Sequence, residues 1–114
     1  MPFLRIQTNQ PLTDVEASAL AARASAVVAA QLGKPERYVM TSVELNQSMQ
    51  FAGSTAPLAY LELKSIGLPE SLTADTSRAL CELLASATGI DPDRVYIEFT
   101  DAPRKMWGWN NGTF

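Results

Sequence analysis

The feature that most limits how this chain folds is an internal repeat, in which strand, long helix and strand occur twice in the same order. In the first copy, Phe3 to Gln7 reads as a short strand, and Thr13 caps a helix with Glu16 completing a capping box three residues later. We expect this helix to end at Gly33, because glycine readily adopts the left-handed conformation that terminates helices. A second strand, Tyr38 to Leu45, follows and is rich in β-branched and aromatic residues.

The second half of the chain repeats this plan. Residues 59–66 read as a strand, and LTADTSRAL at 72–80 shares the Leu, Thr, Ala and Leu positions of LTDVEASAL at 12–20. Apolar residues then recur at helical spacing until Gly89, which ends the second helix. Helix caps and X-Pro exits look alike in many proteins, but the shared order of the elements favours a duplication. The sequence therefore predicts an α+β (α/β) sandwich, with a four-stranded sheet and two helices on one face, in a single domain spanning 1–114.

The strands also carry apolar residues that cannot all face the helices, among them Met40, Tyr60, Leu61 and Leu63. We therefore expect an apolar outer sheet face that other copies of the chain cover, which makes the protein a homo-oligomer. The aromatic tail at 107–114 is expected to add an edge strand to a neighbouring copy.

Composition excludes several classes of function. The 114 residues carry a formal net charge of −3 with no basic run, so the chain is not expected to bind nucleic acid. It has no leader-like start and no run of about eighteen apolar residues, which predicts a cytoplasmic protein without a membrane partner. The single cysteine, Cys81, excludes an intrachain disulfide. No metal and no cofactor are expected, because neither a ligand cluster nor a phosphate loop occurs.

The absence of histidine directs attention to the amino terminus. Without histidine, proton transfer near pH 7 needs another perturbed group, and the α-amino group is one of the few that titrate there. Removal of Met1 would expose the secondary amine of Pro2. Burial beside apolar groups would lower the pKa of this amine, because desolvation disfavours the charged form. Pro2 is thus a candidate general base, although most Met-Pro starts are inert.

Five further side chains are candidates, each with an ordinary structural explanation. Lys34 follows a helix end, where the helix dipole favours a cation, but beside an active amine it would bind a carboxylate and lower the pKa of the amine. Tyr96 and Glu98 alternate with apolar residues, so they share a strand face that either meets solvent or forms a subunit interface. Trp109 and Phe114 either anchor the tail or hold a ligand ring.

Short motifs occur in a fixed order along the whole chain. They are TNQP at 8–11, GKP at 33–35 with Tyr38, MQFAGS at 49–54, SIG at 65–67, DPDRVYI at 91–97 and GWNN at 108–111. In this order and spacing, the chain resembles the macrophage migration inhibitory factor family of the tautomerase superfamily, from Met1 to Phe114.

The resemblance implies a homotrimer with active sites between subunits, and a cofactor-independent keto-enol tautomerase of arylpyruvates such as phenylpyruvate, with Pro2 as the general base. Lys34 and the Ile66 amide would hold the substrate carboxylate, Tyr96 would reach in from the neighbouring subunit, and three aromatic rings would form a slot for the substrate ring. The substrate-binding residues that the resemblance implies are Lys34, Tyr38, Ser65, Ile66, Tyr96, Glu98, Trp109 and Phe114.

Two positions depart from the family pattern. Glu98 stands where the animal cytokines commonly have asparagine, and its carboxylate would repel an anionic substrate and raise the pKa of Pro2. The C-x-x-C segment of the family reads Leu58-Ala59-Tyr60-Leu61 here, which excludes thiol-disulfide activity through that motif.

Two other functions stay open at this point. Hydration or dehalogenation of an unsaturated acid, found elsewhere in the superfamily, typically uses arginines around the proline, whereas Arg5, Arg37 and Arg94 occupy strand or exit positions without a matching pair. Alternatively, the chain is a cytokine-like protein that binds a receptor or another partner, has a vestigial pocket, and is released without a signal peptide.

Overall fold

The computed structural model describes residues 1–114 and contains a four-stranded mixed sheet built from the two predicted units. The strands are β1 (Phe3–Thr8), β2 (Met40–Glu44), β3 (Ala59–Ile66) and β4 (Val95–Ala102), in the spatial order β2-β1-β3-β4. β1 runs parallel to β2, and β3 runs parallel to β4, while the central β1–β3 pair is antiparallel. Each unit is therefore a β-α-β crossover, and the two units meet in the middle of the sheet.

The first helix, α1 (Asp14–Leu32), begins and ends where the sequence predicts. The Thr13 hydroxyl accepts a hydrogen bond from the Glu16 amide at 3.1 Å, and the Glu16 carboxylate accepts one from the Thr13 amide at 2.9 Å. This reciprocal pair is the predicted capping box. At the other end, Gly33 has a φ of +62°, a left-handed conformation that glycine adopts without a steric cost.

The second helix, α2 (Thr73–Thr88), starts differently although its sequence echoes that of α1. A short 3₁₀ turn at Glu70–Leu72 leads into it, so Thr73, the counterpart of the Thr13 cap, is already helical. The Thr73 hydroxyl donates to the Glu70 carbonyl at 2.8 Å instead of capping a later amide. The repeat therefore holds for the helix end, at Gly89, but not for the cap. Neither helix offers an apolar stretch of the length that a bilayer crossing requires.

A leucine-rich core fills the space between the sheet and the helices, which both lie on one face as predicted. Leu4 and Ile6 of β1 and Leu61 and Leu63 of β3 are fully buried, because alternate residues of a strand share one face. They form one cluster with buried residues of the two helices, namely Leu20, Ala24, Val28, Leu32, Leu80, Leu83 and Leu84. Three residues of the edge strand β4 pack against this cluster, namely Val95, Ile97 and Phe99.

The outer face of the sheet is charged, so the expectation of an apolar face is wrong. The Arg5 guanidinium lies 3.0 Å from the Glu44 carboxylate and 3.9 Å from that of Glu62. Glu62 also lies 3.8 Å from the Lys64 ammonium. Arg5, Glu62 and Lys64 alternate with buried residues of β1 and β3, and opposite charges on adjacent strands stabilise their pairing.

That expectation was based on the number of apolar residues in the strands, without assigning each residue to a face of the sheet. Leu61 and Leu63 are separated by one residue and both face the helices, which leaves only Tyr60 and Met40 outside. Met40 on β2 is 66% exposed and Tyr96 on β4 is 65% exposed, so large apolar side chains on this face lie on its two edge strands. Any partner of the outer face therefore meets charged side chains on the central strands and these two side chains on the edge strands.

The aromatic tail folds back on itself as a small hairpin. β5 (Gly108–Trp109) pairs antiparallel with β6 (Gly112–Thr113). Between them, Asn110 and Asn111 have φ values of +50° and +64°, the positive values that a two-residue type I′ turn requires. Within one chain the tail pairs only with itself, and an edge pairing with a neighbouring copy stays a prediction.

Candidate active site

A pocket of about 500 Å³ lies beside the start of β1. This volume is within the range of small-molecule sites, about 300–1,000 Å³. Four segments that are distant in sequence meet there, and most of their side chains are apolar or aromatic. The lining residues are Met1, Pro2, Phe3, Arg37, Tyr38, Val39, Met40, Lys64, Trp107, Gly108, Trp109 and Phe114.

Pro2 is fully buried in the wall of this pocket. Its carbonyl accepts a hydrogen bond from the Met40 amide at 3.0 Å, which extends the β1–β2 pairing by one residue and fixes the position of Pro2. Met1 covers it in the structure. The pKa of the Met1 α-amino group is lowered from 8.0, first by partial burial and then by the positive charge of Lys34. The pocket thus already disfavours a protonated amine.

Lys34 is not part of the pocket lining, although its charge acts on the Met1 amine of the lining. It follows the left-handed Gly33, and its ammonium donates a hydrogen bond to the Ile66 carbonyl at 3.2 Å. This bond joins the end of α1 to the end of β3. Lys34 therefore links the segment after α1 to β3, and its charge also acts on the amino terminus.

Three of the predicted aromatic residues form one cluster on the pocket wall. The Tyr38 ring meets Trp109 and Phe114 edge-on, with centroid distances of 5.9 and 6.1 Å, and the Trp109 and Phe114 rings stack at 5.2 Å. Tyr38 belongs to a 3₁₀ turn (Glu36–Tyr38) and not to β2, whose predicted start at Tyr38 is two residues too early. The turn directs Tyr38 towards the tail instead of into the sheet.

Two cations in the pocket lining were missed as site residues. Arg37 lies in the same 3₁₀ turn as Tyr38, and its guanidinium carbon is 4.8 Å from the centre of the Tyr38 ring. Lys64 pairs in register with Phe3, which brings its side chain to the amino-terminal end of β1. The other two arginines that the sequence singled out, Arg5 and Arg94, bind elsewhere. The alternation of β3 was the one sequence signal for Lys64.

Tyr96 and Glu98 lie far from Pro2 of the same chain. The strand registers align Tyr96 with Tyr60 and Gln7, at the opposite end of β1 from Pro2, which corresponds to roughly 16 Å or more. Tyr96 is 65% exposed and packs against the Phe51 ring with a centroid distance of 4.7 Å. One chain alone therefore does not bring these residues to the pocket.

Ser65 and Ile66 are also outside the pocket lining. Ser65 is fully buried and faces the helices, because it shares the parity of the buried leucines on β3. Ile66 is 7% exposed, and its carbonyl is occupied by Lys34. Any contact of this segment with a ligand would involve the backbone and not the Ser65 side chain.

Arg94 holds the loop between β2 and β3 in place. Its guanidinium donates to four backbone carbonyls, at 3.0 to 3.2 Å, in the segment between β2 and β3. Those carbonyls belong to Phe51, Ser54, Ala56 and Pro57. The same guanidinium lies 5.3 Å from the Phe51 ring centre, and Phe51 packs against Tyr96. Arg94 thus fixes both the loop and the neighbour of Tyr96.

The Tyr60 hydroxyl connects the carboxylates of the outer sheet face. It donates to Glu98 at 3.0 Å and lies 3.3 Å from Glu62. Desolvation, the hydrogen bond to Glu98 and the two negative charges raise the pKa of Tyr60 to about 12. The pKa of Tyr60 in the folded state is higher than in the unfolded state. The resulting stabilisation is therefore complete below pH 10 and is lost as the pH rises towards 12.

We expect Glu98→Gln to lower the pKa of Tyr60 towards its ordinary value, because one negative charge is removed and a carboxylate acceptor is replaced by a weaker amide, while desolvation stays. The measurement is a titration of phenolate absorbance, with a Tyr60→Phe variant subtracted to isolate this residue. Identical Tyr60 titrations in the parent and Glu98→Gln would contradict the hydrogen bond.

No three histidine, cysteine, aspartate or glutamate side chains come together in the chain, so the structure offers no cluster of metal ligands. Cys81 is unpaired and half-buried on α2, away from the pocket, and burial raises the pKa of its thiol.

Comparison with known proteins gives a consistent result over the full length. The family model described as macrophage migration inhibitory factor matches residues 1–114. The chain is 41% identical to the macrophage migration inhibitory factor homolog of Brugia malayi, with all of this chain and 99% of the relative aligned. With the macrophage migration inhibitory factor of Rattus norvegicus it shares 36% identity at the same coverage.

Solved structures agree with this similarity. The crystal structure of the macrophage migration inhibitory factor homologue from Prochlorococcus marinus has a TM-score of 0.93 and 42% identity, covering 98% of both chains. The macrophage migration inhibitory factor-like protein from Entamoeba histolytica has a TM-score of 0.94 at 26% identity, covering 99% of this chain and 98% of that one.

Proposed function

Because the chain belongs to the macrophage migration inhibitory factor family, we propose that it is a cofactor-independent tautomerase that interconverts the keto and enol forms of arylpyruvates such as phenylpyruvate. The observation that carries this proposal is the burial of Pro2 in an aromatic pocket near a lysine. Removal of Met1 would turn the Pro2 nitrogen from an amide, which cannot act as a base, into a secondary amine that can.

The environment of Pro2 suits a general base near neutral pH. Burial and Lys34 already lower the pKa of the Met1 amine, which is only half-buried, and Pro2 lies deeper in the same pocket. Both effects would act at least as strongly on a Pro2 amine, since desolvation and a nearby positive charge each disfavour protonation. An unprotonated amine would then be abundant at pH 7 and still basic enough to accept a proton.

The reaction is a proton transfer between carbon and oxygen of the substrate. Starting from the keto form, the Pro2 nitrogen takes a proton from the carbon next to the carbonyl, and the C–H electron pair forms the C=C bond. The carbonyl π electrons move to the oxygen, which becomes an enolate oxygen, and the Pro2 ammonium returns its proton to this oxygen, which gives the enol and restores the free amine. The pocket cations stabilise the developing negative charge, and the rings of Tyr38, Trp109 and Phe114 pack against the aryl group.

We also propose that the protein assembles as a homotrimer with its active sites between subunits. Tyr96 and Glu98 are remote from Pro2 within one chain, so they reach a pocket only if a neighbouring subunit supplies them. The exposure of Tyr96 and Met40 supports such an interface, because large apolar side chains are usually covered. The predicted effect of Glu98 on the pKa of Pro2 depends on this assembly.

The direct test is enol-to-keto conversion of phenylpyruvate, followed by absorbance, on protein whose mass shows that Met1 has been removed. We expect activity in the parent and a loss of about tenfold or more in Pro2→Gly, because glycine lacks the ring that holds the nitrogen in position. No activity in correctly processed parent protein would overturn the proposal. That outcome would favour the alternative, a partner-binding protein with a vestigial pocket.

A further inference from the structure

We infer that the pocket selects substrates that carry a second anionic group besides the carboxylate next to the reacting carbonyl, and that Arg37 binds this second group while Lys64 attracts the first carboxylate. The inference rests on the proposed function and adds the class of substrate to it. The charge of the pocket lining is opposite in sign to that of the whole chain.

The pocket lining contains two cations and no carboxylate, although the chain has twelve acidic residues and a formal net charge of −3. Arg37 is exposed and forms none of the ion pairs in the chain. Its guanidinium rests on the Tyr38 ring, which orients the group while leaving its N–H donors free for a ligand. A guanidinium held in this way suits bidentate binding of a carboxylate.

Lys64 supplies the second cation at the amino-terminal end of β1. Its ammonium is 3.8 Å from Glu62, a long contact for an ion pair, and 45% of its side chain is exposed. The register with Phe3 puts it beside the residue that follows Pro2. Lys64 is therefore only weakly neutralised, and it faces the reaction site.

A substrate with a single carboxylate would leave positive charge in the pocket without a partner. In the proposed reaction, the carboxylate next to the carbonyl lies close to Pro2, where Lys64 lines the pocket and the charge of Lys34 also acts. Arg37 sits in the turn of Tyr38, on the aromatic wall that receives the substrate ring. A ring substituent with a negative charge would meet Arg37, whereas an unsubstituted ring leaves it without a partner.

The test compares phenylpyruvate with its para-carboxy derivative. In the processed parent, we expect kcat/KM for the dianion to exceed that for the monoanion by about tenfold, because a charge-assisted pair is added. Arg37→Gln should bring this ratio close to one, and Arg37→Lys should restore a part of it. Arg78→Gln, which removes the same charge on the outside of α2, should leave the ratio unchanged. A ratio near one in the parent would overturn the inference.

Calorimetry separates this inference from the proposed reaction. Phenylacetate and 4-carboxyphenylacetate undergo no tautomerisation, so their binding tests charge recognition alone. Tighter binding of the dianion, lost in Arg37→Gln but kept in Arg78→Gln, would support the inference even if the parent turned over neither arylpyruvate. Equal affinity for the two ligands would overturn it even if phenylpyruvate turnover was high.

Discussion

Inserting one alanine between Met1 and Pro2 should lower kcat/KM for phenylpyruvate by about 10²–10⁴-fold, the contribution of a positioned general base. After removal of Met1, the new terminus would be alanine, and the Pro2 nitrogen would stay an amide with no available lone pair. The added residue occupies the place of Met1, which the pocket already accommodates, so the fold should be unaffected. The measurement is initial-rate kinetics on protein of verified mass.

Two controls make this result specific to the Pro2 nitrogen. The far-ultraviolet circular dichroism and the thermal midpoint of the insertion variant should match those of the parent. The rise of kcat/KM with pH through the pKa of the Pro2 amine, expected in the parent, should disappear in the variant. An insertion variant that keeps more than about a tenth of the parental activity would show that another group carries the proton.

The substitution Arg94→Ala should lower the free energy of unfolding by about 3 kcal/mol, or about 10² in the folding equilibrium. Hydrogen bonds from a charged donor contribute about 1.5–3 kcal/mol each, but the four bonds of Arg94 are partly exposed and share one side chain, so they do not add. Without the guanidinium, the backbone carbonyls in segment 51–57 that accept from Arg94 lose this donor and must be hydrated by water. Denaturant unfolding at one fixed protein concentration measures the change, because the stability of the proposed trimer would depend on concentration.

Matched substitutions test whether the geometry of Arg94 is responsible. Arg94→Lys keeps the charge but offers one ammonium in place of a planar fork, so about half of the loss is expected. Arg78→Ala breaks an exposed ion pair with Asp75 and should cost less than about 1 kcal/mol. Limited proteolysis should cut near residues 51–57 faster in Arg94→Ala. Equal stability of Arg94→Ala and Arg78→Ala would contradict the proposed role.

The parts of the fold that were predictable depend on local signals. Thr13 with Glu16 marks one helix start, and the left-handed glycines Gly33 and Gly89 mark both helix ends, because caps act within a few residues. Thr73 shows where local similarity fails: the preceding turn at 70–72 extends into the helix, so the same residue type occupies a different position.

The candidate site was predictable only where a family motif marks it. Pro2, Tyr38, Trp109 and Phe114 do line one pocket. Arg37 and Lys64 were not found, since their presence there results from the approach of separate segments to the start of β1, which no local pattern encodes. The sequence contains the charged residues of the outer face, which are Arg5, Glu44, Glu62 and Lys64. Only the strand registers show that these residues lie next to one another on one face.

The antiparallel pairing of β1 with β3 in the middle of the sheet also affects how the chain is made. Its register joins Phe3 to Lys64 and Thr8 to Ala59, so the innermost contact of the molecule closes a loop of about fifty residues or more. When only the first half of the chain has left the ribosome, the apolar side of α1 is exposed, because β3 is not yet present to cover it. A chain that ends before β3 therefore cannot cover its apolar side chains. We expect nascent chains to need protection from aggregation until β3 has been synthesised.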